Sequence, residues 1–158
     1  MAFNSGPGPV DVPAFFSDLV RCETRLYNDL NDVLRERHGL VTSQFESLRF
    51  LRDRPGARVA DLAARFAVGI GATSKSVDRL EARGWVARRA NPADRRSSLL
   101  VLTEEGARLV EAAEETFTAR VAGLLAVAFD DSSLPVAALA FARLRAVLER
   151  DQVGQPTG

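Results

Sequence analysis

Apolar residues recur along this chain at spacings of three and four, except in one stretch where the period drops to two. From Val12 to His38 the positions Phe15, Phe16, Leu19, Val20, Leu26, Leu30, Val33 and Leu34 share one stripe, which predicts a long amphipathic helix ended by Gly39. A second helix is expected to start at Ser43. There Ser43-Gln44-Phe45-Glu46 offers the hydroxyl and the carboxylate of a capping box, and Phe45, Leu48 and Leu51 line the inner face. Pro55-Gly56 breaks that helix, and Val59, Leu62 and Phe66 set up a short third one in RVADLAARFAV. After the loop Val68-Gly69-Ile70-Gly71, a fourth runs from about Ala72 to Arg83, with Thr73, Val77 and Leu80 on one face and Gly84 at its end.

Beyond Gly84 the helical period stops. Trp85–Arg89 and Ser97–Leu102 read as two strands of a hairpin around a turn at Asn91-Pro92-Ala93-Asp94. Thr103 then caps a long fifth helix whose first turn holds Glu104 and Glu105, where the helix dipole favours negative charge. Val110, Ala113, Phe117, Val121, Leu124 and Ala128 continue it in heptad-like steps. A turn at Asp130–Ser133 leads to a sixth helix with Pro135 in its first turn, lined by Val136, Leu139, Leu144 and Val147 up to the polar tail at Gln152. The Gly- and Pro-rich first dozen residues read as a mobile arm.

This element order predicts a mainly α fold with a small β-hairpin wing: a winged helix-turn-helix with long N- and C-terminal dimerisation helices. A chain of 158 residues suits one domain, 1–158. Residues 43–102 form the expected winged helix-turn-helix DNA-binding region, and 12–38 and 103–151 the dimerisation helices. The three long helices carry more apolar stripe than one small winged module can cover, so a second copy is the natural place to bury it and a homodimer is expected.

Composition narrows the class. Hydrophobic residues at 46% and charged residues at 27% fit an ordinary globular protein and exclude a disordered or collagenous one. No apolar run is long enough to span a bilayer, the start MAFNSGPGPVDVP lacks the features of a signal peptide, and Cys22 is the lone thiol. A cytoplasmic protein with no membrane partner is expected. The formal net charge is zero, but it is unevenly distributed. Lys75 to Arg96 holds seven basic against three acidic residues, and Thr103 to Glu115 holds five acidic against one basic. A basic block confined to one stretch of a neutral chain suggests a local anionic partner.

That block coincides with the helix-turn-helix and wing, which makes double-stranded DNA the expected partner. Thr73, Ser74 and Lys75 lie in the first turns of the fourth helix, the part that reaches base edges and phosphates in such proteins, and Arg79 follows on the same outer face. Gly69 and Gly71 serve either the turn geometry or a close approach of backbone to the duplex. Asp94, Arg95 and Arg96 sit at the hairpin, where a wing can insert one guanidinium into a narrow minor groove with an Asp two residues away holding it.

The run GATSKSVDRLEARGWVARRANPADRRSSLLVLTEEG, ending at Gly106, resembles the recognition helix, wing and following helix start of the multiple-antibiotic-resistance regulator (MarR) family. Asp94, Arg96, Leu102, Thr103 and Gly106 match that family's wing pattern. The resemblance implies Arg96 as the minor-groove residue with Asp94 as its orienting partner. It also implies an obligate homodimer on a pseudo-palindromic site, usually repressing a nearby gene and released by a small ligand.

An aromatic effector is the ligand class the resemblance implies. Tyr27, His38 and Trp85 suit one by chemistry, although one sequence does not show whether they converge. A single histidine and a single cysteine assemble no His/Cys metal site, and no cofactor is expected. No phosphate loop follows a strand and no nucleophile has an evident base, so a non-enzymatic role is expected. Two alternatives stand beside it. One is a protein-interaction module, whose mark would be an apolar patch in place of Arg95 and Arg96. The other is a redox-sensing repressor using Cys22. The steps Phe15, Leu19, Cys22, Leu26 put that thiol on the apolar stripe, where burial makes it inert, while Arg21 and Arg25 beside it would favour the thiolate.

Overall fold

The computed structural model describes residues 8–156. Most of the expected N-terminal arm, residues 1–7, lies outside them. Six helices and one hairpin follow in the order α1 (Val12–His38), α2 (Thr42–Asp53), α3 (Val59–Phe66), α4 (Ile70–Ala82), β1 (Val86–Ala90), β2 (Ser98–Leu102), α5 (Glu104–Leu125) and α6 (Ser133–Arg150). The strands pair antiparallel, with Val86 opposite Leu102 and Arg88 opposite Leu100.

Helix ends follow local chemistry. Asp11 accepts from the Ala14 N–H to cap α1, and Gly39 closes it in the left-handed conformation at φ 68°. The expected Ser43 cap is displaced by two residues: Val41 precedes the helix, which starts at Thr42, and the Gln44 side chain accepts from the Val41 N–H at 3.0 Å. A contact invisible to local pattern sets this start, because Asn31 of α1 accepts from the Thr42 N–H at 2.8 Å. Glu46, freed from capping, pairs with Arg49.

One core gathers under α4 and the hairpin. Leu34, Phe45, Leu48, Leu62, Val77, Leu80, Leu100 and Val110 are buried in it, with Phe117 stacked on Phe45 at 4.8 Å between ring centres. The loop after α2 adds a feature that periodicity cannot reveal. Gly56 donates to the Leu100 carbonyl and Leu100 donates to that of Ala57, so the loop pairs with β2 along its free edge. Ion pairs then tie the long helices to this core, Arg52 to Glu114 across α2 and α5, and Arg120 to Asp29 across α5 and α1 at 2.6 Å.

The junction between the hairpin and α5 is the tightest point. The Thr103 hydroxyl accepts from the Gly106 N–H at 3.0 Å as the α5 cap and donates to the Gly84 carbonyl at 2.6 Å, while the Thr103 N–H reaches the Trp85 carbonyl. Gly106 lies so close beneath that a Cβ would stand 2.0 Å from the Trp85 oxygen. The Leu-Thr pair and the Gly three residues on therefore have a packing reason.

Only the C-terminal half of α1 joins the core, through Leu30 and Leu34, and no residue of α6 is buried. Phe15, Phe16, Val20, Val136, Leu139 and Phe141 stay exposed. Cys22, expected to be buried on its stripe, is exposed too, because nothing in the single chain covers that half of α1.

Gly106→Ala should lower stability by about 1 to 3 kcal/mol, since backbone must move to admit the methyl group. Urea denaturation checks this, and an unchanged midpoint would contradict the close approach.

Candidate nucleic-acid interface

The helix-turn-helix is α3, a three-residue turn and α4. Ala67 takes the left-handed conformation at the end of α3 (φ 51°), which lets the chain reverse. Gly69 precedes α4 at φ −60°, and neither it nor Gly71 has positive φ. Turn geometry therefore does not demand glycine at either position. A Cβ at each would meet nothing within 4 Å, so the space they leave opens away from the chain. No side chain caps α4, and the N–H groups of its first turn stay available to an outside acceptor such as a phosphate.

Val77 and Leu80 are fully buried and fix which face of α4 looks outward. Lys75 and Arg79 are exposed on that face and Ser74 is half-buried at its margin. Thr73 corrects the expectation: it is buried, and its hydroxyl donates to the Gly69 carbonyl at 3.0 Å. A threonine one turn into a helix finds a backbone acceptor four residues back, and here the core holds it there.

The wing loop is built by two side chains. Asn91 accepts from the Ala93 N–H and donates to the Ser97 hydroxyl at 2.8 Å; Asp94 accepts from the Arg96 N–H at 2.9 Å. Asp94 thus shapes the backbone that carries Arg96 and makes no guanidinium pair with it. Arg95 and Arg96 are exposed.

Ion pairing sorts the basic block into two groups. Arg88 donates to Asp78 at 2.6 Å and to Glu81, clamping β1 to α4 and neutralising the two acids on that helix. Arg83 lies over the Trp85 ring at 4.3 Å and donates to the Gly39 carbonyl. By contrast Lys75, Arg79, Arg89, Arg95 and Arg96 have no carboxylate partner among the described residues. Five cations thus remain unneutralised on α4 and the wing of a chain with zero net charge. The sequence pattern singled out neither Arg89 nor the Arg88 clamp. The clamp's only trace in sequence is two acids three apart on a helix followed by a strand arginine. Nearby, the Arg58 guanidinium holds the Asp61 carboxyl below its usual range while Asp61 also accepts from the Arg58 N–H at the start of α3.

The three aromatic-effector candidates do not converge. Tyr27 faces a wide apolar concavity of about 1550 Å³ between α1, α5 and α6, floored by residues of α2, α3 and the first turns of α4, as does Cys22. His38 and Trp85 instead line a separate pocket of about 430 Å³ with Arg83, Glu105 and Arg108. Among the described residues no cluster of three His, Cys, Asp or Glu side chains could hold a metal ion, and no helix is long and apolar enough to cross a membrane.

Residues 40–98 match the model of the MarR family. The multiple antibiotic resistance protein MarR of Escherichia coli is 35% identical over 72 residues, 46% of this chain and 50% of that protein. The HTH-type transcriptional regulator MhqR of Bacillus subtilis is 28% identical over 90 residues, 55% of this chain and 62% of that one. The chain thus spans about half the length of the MarR proteins it matches. Among solved structures, a MarR family transcriptional regulator from Streptomyces coelicolor in complex with DNA superposes with a TM-score of 0.81 at 20% identity, covering 97% of this chain and 98% of that one. That likeness establishes the winged helix-turn-helix fold with its long terminal helices.

The two groups of cations separate in a salt titration of DNA binding. Lys75→Ala should reduce the slope of log K against log salt by about 0.9 per subunit, one phosphate contact. Arg88→Ala should weaken binding at an unchanged slope, because its guanidinium is already engaged by Asp78 and Glu81. Interchanged outcomes would overturn the sorting.

Proposed function

We propose, from the premise that the chain carries a MarR-family domain at residues 40–98, that it is a sequence-specific DNA-binding transcriptional regulator acting as a homodimer on a pseudo-palindromic operator. The observation that carries this reading is the set of unpartnered cations on α4 and the wing of a net-neutral chain. Bulk charge cannot attract DNA here, so attraction comes from where the charge sits. Ser74, Lys75 and Arg79 of α4 address the major groove, and Arg96, on a loop shaped by Asp94, addresses the minor groove with Arg95 and Arg89 along the backbone. Thr73 supports the start of α4 from within.

The dimer follows from burial. An 18-residue helix with no buried residue has little stability in water by itself, and α6 is such a helix. Leu134, Phe141 and Leu144 of it face the concavity shared with α1 and α5, Val136, Leu139 and Val147 stay exposed outside it, and Phe15, Leu19 and Cys22 of α1 line the opposite wall. A second copy offering the same helices fills this space and continues the apolar face on both sides. Two α4 helices then lie on one side of the assembly, which suits two half-sites about one DNA turn apart. Repression of a nearby gene, released by a small aromatic ligand, completes the proposal; the His38–Trp85 pocket of about 430 Å³ is a space of suitable size apart from the concavity.

Titration of the purified chain against its own upstream DNA at two salt concentrations, with unrelated DNA as competitor, tests the proposal. Salt-sensitive binding that survives competitor is expected, and affinity no better than for unrelated DNA would contradict it. Arg96→Ala should weaken operator binding by about 1 to 3 kcal/mol. Leu144→Arg, placing a charge in the concavity, should yield a monomer by light scattering and abolish operator binding; a stable dimer would place the interface elsewhere.

A further inference from the structure

Helix α4 carries three large apolar side chains. Val77 and Leu80 are fully buried, whereas Ile70, its first residue, is 62% exposed. Ile70 does not belong to the wall of the concavity that Val68, Ala72 and Thr73 help to line. Its neighbours Gly69 and Gly71 present no side chain and open onto empty space. Neither has a backbone conformation that requires glycine. The isoleucine therefore stands alone on a bare collar at the helix end that enters the groove, with Ser74 one turn along on the same side.

Isoleucine has no hydrogen-bonding group and gains only by meeting apolar surface. In the major groove the thymine 5-methyl is the apolar group that a base pair displays. Given the DNA-binding reading above, on which this rests, we infer that Ile70 reads the methyl group of a thymine in each half-site, and that Gly69 and Gly71 are small so that the backbone can bring it there. Burying one methyl against Ile70 is worth about fourfold in affinity per half-site. Substitution of Gly71 would hold the helix off the base edge without disturbing the fold.

The test uses the full chain and a duplex it selects from a random-sequence library, resynthesised with deoxyuridine replacing thymidine in both half-sites, a change that removes only the methyl groups. The wild type should bind the uracil duplex about fifteenfold more weakly, fourfold at each of two half-sites. Ile70→Ala should bind both duplexes alike, at about the wild-type affinity for uracil, with an unchanged thermal midpoint because the side chain is exposed. Equal binding of both duplexes by the wild type, or a thymine preference that Ile70→Ala retains, would overturn the inference while leaving the DNA-binding reading intact. A selection that enriches no sequence would overturn that reading and this inference with it.

Discussion

Thr103 and Gly106 hold the molecule's working parts in register. One hydroxyl caps α5, reaches the carbonyl that follows α4, and sits beside a glycine pressed against the Trp85 backbone. Four elements meet there: the end of α4, the start of β1, the end of β2 and the start of α5. The wing cannot tilt relative to α4, nor α4 relative to the long helix behind it, without breaking this contact. The Arg88 clamp on Asp78 and Glu81 repeats the constraint on the outer side of the same angle. The proposed DNA reading depends on that rigidity, because a recognition helix and a wing find adjacent grooves only at a fixed separation.

Charge is ordered around this frame. The acids on α4 are answered within the chain by Arg88, and Glu114 and Asp29 by Arg52 and Arg120; the arginine hydrogen bonds hold both carboxyls below their usual range. What is left over on α4 and the wing is positive. A net charge of zero thereby coexists with a cationic face, which favours phosphate at one surface without general attraction to polyanions. The apolar surplus is ordered in the same way. It lies on α1 and α6, where Phe15, Phe16, Val20, Val136, Leu139 and Phe141 stay exposed, and the concavity between these helices reaches in to Ala72, Thr73 and Ser76 of α4.

Most of the fold was legible because the apolar period is strong where helices are long, and because Gly39, Gly84 and Thr103 mark ends by chemistry that operates within a few residues. Legibility failed where a distant group decides. Ser43 has the pattern of a cap, but Asn31 of α1 draws the α2 start back to Thr42. Cys22 lies on an apolar stripe, yet the stripe of that half of α1 has no cover within its own chain. In the candidate interface, Lys75, Arg79, Arg95 and Arg96 were visible as charge on the outer face. Thr73 was misplaced because its hydroxyl satisfies the backbone of its own helix, and Asp94 bonds an amide where spacing suggested a guanidinium. Arg88 could not be separated from Arg89 without the strand pairing that sends one toward α4 and leaves the other exposed.

In the proposed assembly two copies, joined through α1, α5 and α6, present two α4 helices to one duplex. Sedimentation equilibrium of the full chain mixed with a labelled duplex that it has selected tests this most directly. Two chains per duplex are expected, with the free protein already dimeric at the same concentration. One chain bound per duplex, from a protein that is monomeric when free, would contradict it.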